Sequence, residues 1–217
     1  MLAGNHRQNS NITGPMRTVG SNRDTTEKAI REAAINIIAR HGFKAASLRM
    51  IAKEVGIQAG SLYNYIKSKE SFLFELLRDH LQSMISEYQE RTANESDPYK
   101  RLLIYIDIHL NFHIHRQMEV FIGNMELRNL SKPHYKTITG LRDAYSNLLT
   151  GLIKEGNKTG LLTVEDPRVT TFAIISLLSG VCYWYQPGGR LSEKEVRDTH
   201  TAMVFRLLGL KAPPKGR

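Results

Sequence analysis

Apolar residues recur at Ile30, Ala33, Ala34, Ile37 and Ile38, with His41 in the same phase. This i, i+3, i+4, i+7 spacing marks one face of a helix that starts near Asp24 and ends at Gly42. Ser47 then offers an N-cap to a second helix, whose Leu48, Ile51, Ala52 and Val55 form a narrow stripe that Gly56 terminates. A short third helix is predicted over 58–65. A fourth starts at Ser68 and turns Leu73, Leu76, Leu77, Leu81, Met84 and Tyr88 inward. Beyond the acidic break at Asn94 to Pro98, the pattern predicts helices over 99–116, 118–130, 134–156, 167–185 and 192–209. Gly156, Gly160 and Asp166-Pro167 separate the third of these from the fourth, and Pro187-Gly188-Gly189 separates the fourth from the last, through the backbone preferences of Gly and Pro. No stretch alternates with the period of two that a strand requires. The predicted fold class is all-α, with a three-helix unit over 24–70 and a larger helical body over 71–210. A flexible arm over 1–23 precedes them and a short tail over 211–217 follows.

Residues 47–66 have the parts of a helix-turn-helix: a short helix, a turn opened by glycine, and a second short helix with small and polar groups on its outer face. Ala59, Leu62 and Ile66 share the anchoring face. Gly60, Ser61 and Asn64, flanked by Tyr63 and Tyr65, face away from it. Gly60 lets the backbone approach base edges, while Ser61 and Asn64 carry short donors and acceptors, Asn being suited to the adenine edge. Gln58 lies at the helix N-terminus, where free amides favour phosphate. Lys67 and Lys69, with the hydroxyls of Ser47 and Tyr65, are positioned as backbone clamps, and Arg49 is within reach of a guanine. The predicted DNA contacts are therefore Ser47, Arg49, Gln58, Ala59, Gly60, Ser61, Tyr63, Asn64, Tyr65 and Lys69.

Charge points the same way. The chain of 217 residues carries a formal net charge of +9, and residues 1–70 account for +6 of it, with eleven Lys and Arg against five Asp and Glu. Such a front-loaded basic balance favours a polyanionic partner. The single cysteine, Cys182, rules out an intramolecular disulfide and suits a reducing cytoplasm. The most apolar stretch, Phe172 to Tyr185, is short of the about 20 residues a membrane span needs.

The segment Gly56-Ile57-Gln58-Ala59-Gly60-Ser61-Leu62-Tyr63-Asn64-Tyr65-Ile66-Lys67-Ser68-Lys69-Glu70 closely resembles the signature of the tetracycline-repressor (TetR) family, and the likeness extends over about residues 24–75. Where the family usually has Ser or Thr, this chain has Gln58. The resemblance implies a homodimer that binds a palindromic operator in double-stranded DNA, usually as a repressor released by a small-molecule effector. It places Tyr63, Tyr65 and Lys69 at DNA-contact positions, and makes the body the effector-binding and dimerisation domain. The helices over 167–185 and 192–209 are the expected dimer interface.

In the body, aromatic and flexible apolar residues are mixed with basic ones, and the residues expected to meet an effector are Phe112, Phe121, Met125, Arg128, Arg142, Tyr145, Trp184 and Tyr185. Met125-Glu126-Leu127-Arg128-Asn129-Leu130 and Tyr183-Trp184-Tyr185-Gln186-Pro187-Gly188-Gly189-Arg190-Leu191-Ser192 look like a TetR subgroup that senses acyl-coenzyme A thioesters of lipid or aromatic-acid catabolism. The subgroup's usual Arg is Gln186 here. That resemblance makes an acyl-CoA the expected effector, with no cofactor. Two other readings compete: a multidrug sensor using Glu119 and Glu126 toward a cation, and an acyl-thioester enzyme with His113 or His115 as base beside Glu126 or Glu119. No nucleophile elbow, phosphate loop or zinc-protease motif supports the enzyme. His109 and His113 share a helical face, but two ligands do not make a metal site.

Overall fold

The computed structural model describes residues 21–210, so most of the expected arm and all of the expected tail lie outside it. Its helices are α1 (Ser21–Ala45), α2 (Leu48–Val55), α3 (Ala59–Leu62), α4 (Lys69–Thr92), α5 (Pro98–His115), α6 (Gln117–Met125), α7 (Lys132–Lys158), α8 (Pro167–Ser179), α9 (Val181–Trp184) and α10 (Glu193–Leu207), with a 3-10 turn at Leu127–Asn129. No strand occurs among the described residues, and no helix there is long and apolar enough to cross a membrane.

The caps follow from the sequence. Ser47 accepts a hydrogen bond from the Met50 amide at the start of α2, and Gly56 closes that helix in the left-handed region at φ 74°. Ser68 with Ser71, and Ser192 with Glu195, form reciprocal capping boxes on α4 and α10. Asp166 caps α8 through the amides of Arg168 and Val169, with Pro167 in the first turn. Three local expectations change. Gly42, at φ 76° and ψ 157°, interrupts α1 as expected, but His41 before it is exposed rather than on the buried face, and Phe43 after it is buried. The third helix is shorter than predicted, and Tyr63 to Ile66 continue as a tight turn with Tyr65 N bonded to Leu62 O at 2.9 Å. The predicted helix over 118–130 breaks at Glu126, whose carboxylate turns toward α1 and accepts the Phe43 amide at 3.0 Å.

Two cores lie end to end. The head core joins Ile30, Ile38, Ile51, Leu62 and Ile66 to Leu73 and Leu76 of α4, and it also takes in Ile122 of α6 and Ile138 of α7. The body core is built from α5, α7, α8 and α10 around Tyr105, Leu149, Ile174 and Phe205. Helix α4 runs through both: its first half packs in the head and Met84 and Tyr88 pack in the body. Residue 70 is therefore not a boundary in packing, because the head is completed by residues far along the chain.

Candidate functional site

Leu62 and Ile66 are buried at 0% and 5% exposure, and they fix α3 so that Gln58 to Ser61 and Tyr63 to Asn64 stand in solvent. Tyr63, 60% exposed, is a large ring with no core to join. Arg49 and Lys67 are exposed on the same unit, and the exposed Gln58 makes no side-chain cap bond to α3. The tight turn after Leu62 presents Asn64 beside Ser61 on a short, protruding face of the kind a major groove admits.

Lys69 is placed differently. Its ammonium donates to the carbonyls of Phe43, Lys44 (3.3 Å) and Ala46 (2.6 Å), and it lies 4.4 Å from the centre of the Phe43 ring. The first two carbonyls belong to the last turn of α1 and the third to Ala46 just beyond it, where helix geometry supplies no backbone donor. The expected phosphate clamp is thus a fastening between α4 and the turn before α2. Ser47 likewise spends its oxygen on the Met50 amide.

A cavity of about 260 Å³ lies in the body between α4, α5, α6, α7 and α8. Apolar walls come from Leu77, Leu81, Met84, Val120 and Ile175. Of the expected effector contacts, Arg142 and Tyr145 line it. Phe112 is buried behind His80, edge-on to its ring at 5.5 Å and beneath the Arg116 guanidinium at 4.7 Å. Phe121, Met125 and Arg128 are exposed, because α6 turns Val120, Gly123 and Asn124 to the cavity and its residues at 118, 121 and 125 away from it. Trp184 is half exposed and stacks on His200, and Tyr185 is buried, its carbonyl taken by Gln117 at 2.8 Å.

Residues not expected at the cavity are His80, Asn124, Asp143, Ser146, Phe172 and Ser179. For His80 a signal existed: it interrupts the apolar stripe of α4 in phase with Leu73, Leu76, Leu77 and Met84. His109 and His113 stack with ring centres 3.9 Å apart. Tyr145 meets His109 Nδ1 at 3.3 Å, Ser179 meets its Nε2 at 3.0 Å, and His113 Nδ1 donates to the His109 carbonyl at 2.8 Å. Burial pushes His80 down to about 3 and His113 to about 4, so both rings are neutral at pH 7. His134 is elsewhere, paired with Glu70 at 2.8 Å and stacked on Phe74. Among the described residues no group of three or more His, Cys, Asp or Glu could hold a metal ion.

Glu119 faces the cavity but pairs at 3.6 Å with Arg31 of α1, and Glu126 holds the Phe43 amide. Among the described residues neither is hydrogen-bonded or ion-paired to His113 or His115, as the catalytic reading requires: His113 bonds the His109 carbonyl and His115 lies 3.3 Å from Glu193. One wall of the cavity is therefore tied at two points to the first helix of the head.

Residues 30–76 match the family model for bacterial regulatory proteins of the tetR family, and residues 95–208 match that for the tetracyclin repressor-like C-terminal domain. The chain is similar to the HTH-type transcriptional repressor KstR2 of Mycolicibacterium smegmatis, with 29% identity over 176 residues covering 80% of this chain and 86% of that one. The fatty acid metabolism regulator protein of Bacillus subtilis is 28% identical over 138 residues, 60% of this chain and 68% of that protein. Among solved structures, AibR in complex with isovaleryl coenzyme A and operator DNA superposes with a TM-score of 0.73 at 23% identity, covering 84% of this chain and 98% of that chain.

Proposed function

Since this chain belongs to the TetR family of bacterial regulatory proteins and is a DNA-binding transcription regulator, we propose that it is a cytoplasmic repressor which an acyl-coenzyme A thioester releases from a palindromic operator. The observation that carries this reading is the cavity whose α6 wall holds α1 through Arg31–Glu119 and Phe43–Glu126. A ligand that moves α6 moves the head with it. The relatives support the direction: KstR2 is a repressor, the Bacillus subtilis protein regulates fatty acid metabolism, and AibR binds both isovaleryl coenzyme A and operator DNA. The cavity's apolar walls suit an acyl chain. A cationic drug is less well served, because an arginine already stands beside each carboxylate: Arg31 lies 3.6 Å from Glu119, without a hydrogen bond, and Arg168 3.0 Å from Asp143.

Release requires that the effector favour the state whose heads no longer match successive grooves, since equal affinity for both states shifts nothing. A 100-fold difference corresponds to about 2.7 kcal/mol of coupling. In an operator-bound anisotropy titration, thioesters should release the protein below about 100 μM, a binding free energy near −5.5 kcal/mol, and the matched free acids should act poorly. Release by cationic dyes alone would replace this reading with the drug-sensing one.

The recognition face is Gln58, Ala59, Gly60, Ser61, Tyr63, Asn64 and Tyr65, with Arg49 in support and Lys67 on the phosphates. Asn64→Ala is expected to cost about 1–3 kcal/mol on the operator and little on random duplex. Lys67→Ala should weaken both and flatten the salt dependence by about one unit of slope. Competition binding at several salt concentrations separates the two, and identical behaviour would overturn this assignment.

Two heads are brought together by pairing α8 and α10 with the same helices of a second copy. Val169, Ala173, Met203 and Leu207 leave an exposed apolar surface on these two helices, which a closed twofold dimer would bury.

A further inference from the structure

The charges around the cavity do not balance. Three ionised side chains line it: Glu119, Asp143 and Arg142. Arg31 lies 3.6 Å from Glu119. Arg168 reaches Asp143 at 3.0 Å, donates to Ser146 and Asn147, and lies 4.6 Å from the Phe172 ring centre, which holds it at the rim. Arg142 alone has no carboxylate within ion-pairing distance among the described residues, and its hydrogen bond there runs from Nη2 to the Gly123 carbonyl of α6 at 2.8 Å. Burial pushes its guanidinium down from the usual range, yet an arginine stays charged in a protein. The neighbouring His80 ring feels the same field: besides burial, the guanidinium charges of Arg116, Arg142 and Arg31 hold it down. A half-buried cation facing an apolar cavity without a counter-ion is a costly arrangement unless a ligand completes it.

We propose that the effector carries a carboxylate on its acyl group and that Arg142 receives it inside the cavity, so that the ligand class is the half-thioester of a dicarboxylic acid. This rests on the thioester reading of the same cavity. A carboxylate fits the guanidinium fork bidentately and is compact enough for about 260 Å³ shared with an acyl chain. The coenzyme's phosphates are bulky and strongly hydrated, and they belong at the mouth, where Arg168 can exchange the exposed Asp143 for them. Because Arg142 is bonded to Gly123 beside Asn124, the incoming carboxylate competes with a contact that holds α6. Binding and movement of the wall that carries α1 are thereby the same event.

The test uses the full-length protein and two matched pairs: glutaryl- against valeryl-coenzyme A, and monomethyl glutarate against methyl valerate. Calorimetric titration should show the carboxylated member of each pair binding at least tenfold tighter to the wild type. Arg142→Gln should erase that preference, costing the carboxylated member at least tenfold more than the plain one, while Arg142→Lys should keep part of it. A wild-type preference for the plain acyl group, an equal loss of both members in Arg142→Gln, or no binding by either carboxylated probe would each overturn the proposal. The second of these would move Arg142 to the phosphates or to a purely structural role. A preference that holds for the esters, with no added affinity for the thioesters, would keep the Arg142 assignment and overturn the thioester reading alone.

Discussion

Val169→Asp combined with Met203→Glu should leave the protein monomeric at micromolar concentration and lower its affinity for a full operator by at least about a thousandfold, near 4 kcal/mol. Val169 and Met203 are 61% and 41% exposed, so neither packs in the protomer. An acid in the first turn of α8 is compatible with the helix dipole, and Glu is a good helix former on the exposed face of α10. The protomer should therefore fold normally, while the pairing surface acquires like charges that the twofold axis brings together. The loss arises because one short recognition face reads few bases, and the second head no longer arrives tethered to the first. Sedimentation gives the association state, and titration of a half-site duplex should give an unchanged affinity. A stable dimer in this variant would remove α8 and α10 from the interface, and a monomer with full operator affinity would remove the dimer from the mechanism.

Lys69→Met should destabilise the head by about 2 kcal/mol and weaken binding to operator and random duplex in parallel, without changing the salt slope. Charged hydrogen bonds contribute about 1.5–3 kcal/mol each when buried. The figure here is held low because Lys69 is only part-buried and water can replace some of what is lost. Methionine keeps the stem over the Phe43 ring but leaves the carbonyls of Phe43 and Ala46 without their donor. The turn between α1 and α2 then loosens and the recognition face loses its fixed position, an effect that no duplex sequence can compensate. Lys69→Arg should recover part of the stability. Thermal unfolding together with hydrogen exchange at residues 43–46 checks this. An unchanged stability with a slope flatter by about one unit would return Lys69 to the DNA backbone.

The phases of the head helices, the cap at Ser47, the helix starts near Ser68, Pro167 and Ser192, and the helix-turn-helix around Gly56 were legible in the chain, because each depends on residues within a turn or two of one another. Apolar spacing identified the buried faces of α2 and α4 and that of α1 except for His41, which is exposed, and the composition of α3 identified the outward face, on which Ala59 also stands. What the sequence could not express is which partner a polar group finds across the fold. Lys69 reads as a free cation until α1 brings three carbonyls to it from more than twenty residues away. Glu119 and Glu126 read as drug or catalytic carboxylates until Arg31 and the Phe43 amide claim them. Aromatics selected by type fell on both sides of α6, whereas His80 and Ser179 reached the cavity because five helices converge there. Arg142 shows the limit most clearly: its residue type is visible in one dimension, but its missing counter-ion is a property of every neighbour at once, and only tertiary packing decides that.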